Sequence, residues 1–77
     1  MDQLKEIVAR VLDIKIDMID DNLIRDDTEK WDSFNHLLLI SEIEKNLGVK
    51  FSILDVEKIK SFKELRQIVL GKKWQEK

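Results

Sequence analysis

Apolar positions Leu4, Ile7, Val8, Val11 and Leu12 recur at i, i+3, i+4, i+7 and i+8, the stripe of an amphipathic helix, and Asp2 stands where an N-cap belongs. This spacing predicts a first helix from Asp2 to Asp13. Between Ile14 and Asp32 the period disappears: Ile14, Ile16, Met18, Ile19, Leu23 and Ile24 alternate irregularly with Asp17, Asp20, Asp21, Asn22, Asp26 and Asp27. A segment of about nineteen residues without its own period is long for a compact domain, so it reads as an ordered loop laid over the core, with room for a short helical turn. Behind the cap-type residues Asp32 and Ser33, helical spacing resumes with Phe34, Leu37, Ile40, Ile43 and Leu47 and stops at Gly48. That predicts a second helix from Ser33 to Leu47. Val49 to Ile53 forms a short connector and Leu54 to Lys58 one or two helical turns. Ser61 and Glu64 match a capping box ahead of Leu65, Ile68, Val69 and Leu70, which predicts a last helix from Phe62 to Leu70. Residues 72–77 read as a loose tail. The expected fold is all-α: a small four-helix bundle of three longer helices and one short helix, with a long loop between helices one and two, filling residues 1–77 as a single domain.

A wheel at 100° per residue sharpens the second helix. Leu39, Ile40, Ile43 and Leu47, with Leu37 at the edge, gather on the expected core face; Phe34, Leu38, Ser41 and Lys45 fall opposite. Phe34 and Leu38 would then be large apolar side chains facing water, the mark of a docking surface. The competing arrangement has Phe34 folding back on the loop and Leu38 as an isolated exposed leucine.

Composition narrows the chemistry. The chain has 77 residues, 43% of them hydrophobic and 39% charged, with two Gly, no Pro and no Cys, so folding must rest on apolar packing. Such a short chain builds a thin core and no deep catalytic cavity. A structural zinc site is excluded by the lack of Cys and the single His. An EF-hand read from Asp20 fails at Ile24, Arg25 and Trp31; loose divalent binding by the loop carboxylates stays open. The two glycines cannot build a phosphate loop. Residues 1–32 carry ten acidic against five basic side chains, and residues 33–77 six against nine, for a net charge of −2. This balance speaks against nucleic-acid binding, and the basic C-terminal stretch reads as a solvated helix face. The longest apolar run, Leu37 to Ile40, is far too short to enter a membrane. A cytoplasmic monomer is expected.

Ser33 and His36, at i and i+3, invite a nucleophile and base reading, but no third group is placed to orient the imidazole, and His36 is expected to be a partly exposed helical residue. Ser33 is informative for another reason. The first turn of a helix carries unpaired N–H groups and the positive end of the dipole, which favour a phosphate on its oxygen; a plain capping role is the alternative.

The residues around Ser33 resemble a known family. Asp32-Ser33-Phe34 is similar to the Asp-Ser-Leu signature of acyl carrier proteins and their peptidyl-carrier relatives, with Glu44, Leu47, Phe51, Glu57, Ile59 and Ser61 in matching downstream positions. The resemblance implies a non-enzymatic carrier. A phosphopantetheinyl transferase would place 4′-phosphopantetheine on Ser33, with Asp32 assisting recognition, and the arm's thiol would hold acyl groups as thioesters for acyl-loading and acyl-transferring enzymes. Phe34, Leu38 and Glu44 would contribute to docking. Fatty-acid carriers have a strongly acidic second helix, whereas Asn35, Leu38 and Lys45 occupy acidic positions of that helix here. Trp31 before Asp32-Ser33, and Phe34 after it, look more like carriers of specialised pathways, D-alanyl carriers included. An aminoacyl or peptidyl carrier, or a helical interaction module without a prosthetic group, are the alternative functions.

Overall fold

The computed structural model describes the backbone of residues 2–75 and the side chains of residues 3–72. Four α-helices appear in the expected order: α1 Asp2–Leu12, α2 Ser33–Leu47, α3 Ile53–Lys58 and α4 Phe62–Gln75. The side chain of Asp2, the expected cap of α1, lies outside the described residues.

α1 ends because Asp13 adopts φ 56°, a left-handed conformation that Asp tolerates better than most residues. The Ile14 N–H then reaches back to the Ala9 carbonyl at 3.1 Å, closing a Schellman-type end and turning Ile14 onto the core. α2 keeps its expected limits, capped by Asp32 and stopped by Gly48 at φ 70°, where a residue with a Cβ would be strained. α3 starts one residue earlier than expected. Ser52 accepts from the Asp55 N–H at 3.1 Å and Asp55 accepts from the Ser52 N–H at 3.0 Å, a reciprocal box that stabilises a helix of only six residues. At α4 the box is looser: Ser61 accepts from the Glu64 N–H at 3.3 Å, while Glu64 reaches past the cap to the Lys60 N–H at 2.8 Å. α4 also runs on to Gln75 instead of ending near Leu70. Lys72 explains the extension. Its ammonium pairs with Asp55 at 2.8 Å and lies 5.6 Å from the centre of the Phe51 ring, tying an additional turn to α3 and the connector before it. The expected loose tail over residues 72–77 is thereby corrected, being helical as far as Gln75; its last two residues lie outside the described residues.

Leu4, Ile7, Val8 and Leu12 of α1, Leu39, Ile40 and Ile43 of α2, and Phe62, Leu65 and Val69 of α4 form the core, joined by Val49 and Ile59. The long loop contributes Ile19 and Trp31 as fully packed members and contains two 3-10 turns, Ile16–Met18 and Arg25–Asp27. It is fastened across the molecule: the Arg25 N–H donates to the Lys60 carbonyl at 2.8 Å and the Phe62 N–H to the Leu23 carbonyl at 2.9 Å. Ile24 and Ser61 thereby make a single antiparallel bridge. The Asp21 carboxylate meets the Arg66 guanidinium nearby, which holds Asp21 below the usual carboxylate range. Among the described residues no helix is long and apolar enough to cross a membrane.

Candidate functional site

The first turn of α2 is where the chain gathers its polar chemistry. Asp32, in extended conformation, accepts from the Asn35 N–H at 2.8 Å through its carboxylate and from the His36 N–H at 2.8 Å through its carbonyl. Asn35 in turn donates its side-chain amide to the Lys30 carbonyl at 2.7 Å, which holds the loop end against the helix start. Asp32 therefore does the capping. Ser33, the first residue of the helix, is exposed and relieved of that role, which resolves the two sequence readings of Ser33 against a plain cap.

His36 departs from expectation. It is 5% exposed, not partly exposed, because its wheel position points at the middle of the core face. Burial is made tolerable by two hydrogen bonds. The indole N–H of Trp31 donates to Nδ1 at 3.0 Å, and Nε2 lies 3.0 Å from the Val56 carbonyl. An indole N–H only donates and a carbonyl only accepts, so the ring is the neutral form with its proton on Nε2. Removal from water pushes the His36 pKa below its ordinary value of 6.5, outweighing the bond to Val56 that raises it, and the Arg25 charge lowers it further. His36 thus holds loop, α2 and α3 together directly beneath Ser33, and is no catalytic base for it.

An open cleft of about 590 Å³ lies between the Arg25–Asp27 turn and the start of α2. It is lined by Arg25, Asp26, Thr28 and Glu29 of the loop, by Asp32, Ser33 and Leu37 at the start of α2, and by Trp31 and His36. Thr28 braces the turn by donating its hydroxyl to the Ile24 carbonyl at 2.7 Å. No three His, Asp or Glu side chains among the described residues converge as metal ligands.

The outer face of α2 is apolar. Phe34 is 75% exposed and does not fold back on the loop; Leu38 is exposed beside it, as the wheel predicts. Leu37 is a correction, 62% exposed instead of joining the core edge, since it lies more than a quarter-turn from the centre of the buried stripe. Glu44 is half-buried, its carboxylate accepting from the Phe51 N–H at 2.8 Å. α3, held to α2 through His36, exposes Ile53 and Leu54. The sequence signal for these two was present, a pair of adjacent large apolar residues in the first turn of a helix too short to bury both.

The family model described as "Phosphopantetheine attachment site" matches residues 2–69. Among solved structures, the chain is similar to a holo acyl carrier protein from Geobacter metallireducens, determined in solution by NMR. The TM-score is 0.85 at 27% sequence identity, over 96% of this chain and 85% of that one. No curated protein sequence matches.

Proposed function

Because the chain belongs to the phosphopantetheine attachment family and is a carrier, not an enzyme, we propose that its 4′-phosphopantetheine is carried on the Ser33 oxygen and that its cargo is acyl. The observation that carries this reading is the division of labour at the start of α2. Asp32 caps the helix, so the hydroxyl of the next residue stays exposed in a cleft at the positive end of a fifteen-residue helix, where a phosphodiester is electrostatically favoured. A phosphopantetheinyl transferase would join the Ser33 oxygen to the phosphorus of the phosphopantetheine half of coenzyme A, with adenosine 3′,5′-bisphosphate leaving and the serine proton passing to a base of that enzyme. Once in place, the arm supplies a thiol that this Cys-free chain lacks and holds acyl groups as thioesters.

Docking rests on Phe34, Leu37 and Leu38, with Ile53 and Leu54 of α3 as a second apolar contact. Glu44 acts by holding the loop at Phe51. The acyl-loading and acyl-transferring partners meet this face one after another, with the protein working as a cytoplasmic monomer. The acyl reading is preferred to an aminoacyl or peptidyl one because the similar solved structure is an acyl carrier protein.

The test is intact mass after incubation with coenzyme A, magnesium and a broad-specificity transferase. A gain of one phosphopantetheine that disappears in Ser33→Ala is expected. No gain overturns the proposal in favour of a helical interaction module, and a gain that survives that substitution overturns it by moving the attachment away from Ser33.

A further inference from the structure

We propose that the cleft beside Ser33 is a resting site for the phosphopantetheine arm, with Arg25 pairing with its phosphodiester and Leu37 covering its geminal dimethyl group. The inference rests on the carrier reading above and goes beyond it, since attachment alone requires no site for the arm.

Three observations converge. The first is charge. Arg25 is the only cation lining a cleft that also holds Asp26, Glu29 and Asp32, and among the described residues its guanidinium makes no ion pair. Adding a phosphodiester at Ser33 brings a fourth negative group to this cleft and leaves one guanidinium to meet it, in a fork geometry suited to two phosphate oxygens. The second is placement. Arg25 lines the same cleft as Ser33 and Leu37, and its backbone is fixed by the bond from its N–H to the Lys60 carbonyl at 2.8 Å. The guanidinium therefore stands on an anchored turn. The third is the order of chemistry. Starting from Ser33, the arm presents its phosphate first and its dimethyl carbon next; the lining of the cleft offers a cation, Arg25, and an exposed aliphatic side chain, Leu37. A volume of about 590 Å³ is within the range of small-molecule sites, so the arm can enter without displacing the core.

The experiment uses the loaded, isotope-labelled full chain, its loading verified by intact mass. NMR contacts are then sought between the arm's geminal methyl protons and the Leu37 methyl groups, with the phosphorus chemical shift as a second readout. The expected result is that these contacts are present in the parent chain, fall at least severalfold in Arg25→Gln, and persist in Lys30→Gln, because Lys30 is engaged with Asp13 at 3.2 Å outside the cleft. The phosphorus shift should move in Arg25→Gln and stay put in Lys30→Gln. Loaded protein without Leu37 contacts, or contacts equal in Arg25→Gln and the parent, overturns the resting site while leaving the carrier reading intact. Equal loss in both variants overturns it too, since it would reduce Arg25 to general charge. Absence of any mass gain removes both.

Discussion

At the residue scale the molecule turns on two neighbours of Ser33. Asp32 supplies the helix cap, and a cap lost to alanine costs about 1 kcal/mol; Asp32→Ala should lower the urea midpoint accordingly and slow transfer of the phosphopantetheine, measured as the initial rate of mass gain. His36 is the larger liability. His36→Leu leaves the buried Trp31 N–H without its acceptor and takes one of two donors from the partly buried Val56 carbonyl, which keeps the Ile59 N–H, a loss of about 1–3 kcal/mol in chemical denaturation. Its titration has a definite sign. The folded chain holds His36 neutral with a pKa below the ordinary 6.5, so the unfolded chain binds the proton first as pH falls. The stabilisation is complete above about pH 6.5 and is lost as pH falls through the lowered folded value. Urea midpoints should therefore drop between about pH 7.5 and about pH 5 in the parent and stay nearly level in His36→Leu, His36 being the single histidine of the chain. Asp21 and Asp55, both held below the usual carboxylate range by Arg66 and Lys72 respectively, act only at lower pH. A midpoint that ignores pH in the parent would contradict the neutral, doubly bonded imidazole.

At the scale of elements, what was legible in the sequence is what local chemistry decides. The limits of α2 follow from Asp32 and Gly48, each of which acts within one turn of its own position. The stripe of α1 likewise required only the 3.6-residue period. What could not be read depended on distant partners. The burial of His36 is sanctioned by an indole N–H from the loop and a carbonyl of α3, neither of which leaves a trace in the spacing of α2. The 3-10 turn at Arg25–Asp27 is placed by the Lys60 carbonyl, 35 positions away in sequence. Leu37 was misplaced because a leucine says nothing of which side of a helix it faces when it sits beyond the edge of the stripe. The last turns of α4 belong to the same class, since Gly71 argues against continuing while Asp55 and Phe51 hold Lys72. Lys72→Ala should accordingly fray α4 beyond Leu70, seen as faster amide hydrogen exchange there, with a stability change of no more than about 1 kcal/mol because the pair is partly exposed. Exchange unchanged in that segment would mean that the ion pair is not what extends the helix.

At the scale of the whole molecule, charge and apolar surface are sorted into different places. The acidic half of the chain ends at Asp32, and α2 offers partners an apolar stripe of Phe34, Leu37 and Leu38 with Lys45 behind it. Docking to an acyl-handling enzyme should therefore change little between low and high salt, and Phe34→Ala should weaken it by at least tenfold, as truncation of a central aromatic anchor does at other interfaces. Titration calorimetry across a salt series reads both; a steep fall with salt would assign recognition to charge instead. The bridge between Ile24 and Ser61 bears on time as well as on shape. It joins segments far apart along the chain, and such closures form late, once the contacts that repay the lost freedom are within reach. A nascent chain that has not yet reached Lys60 can form α2, but the Arg25–Asp27 turn beside Ser33 then lacks the carbonyl that anchors it, so that side of the cleft waits on a segment made after it.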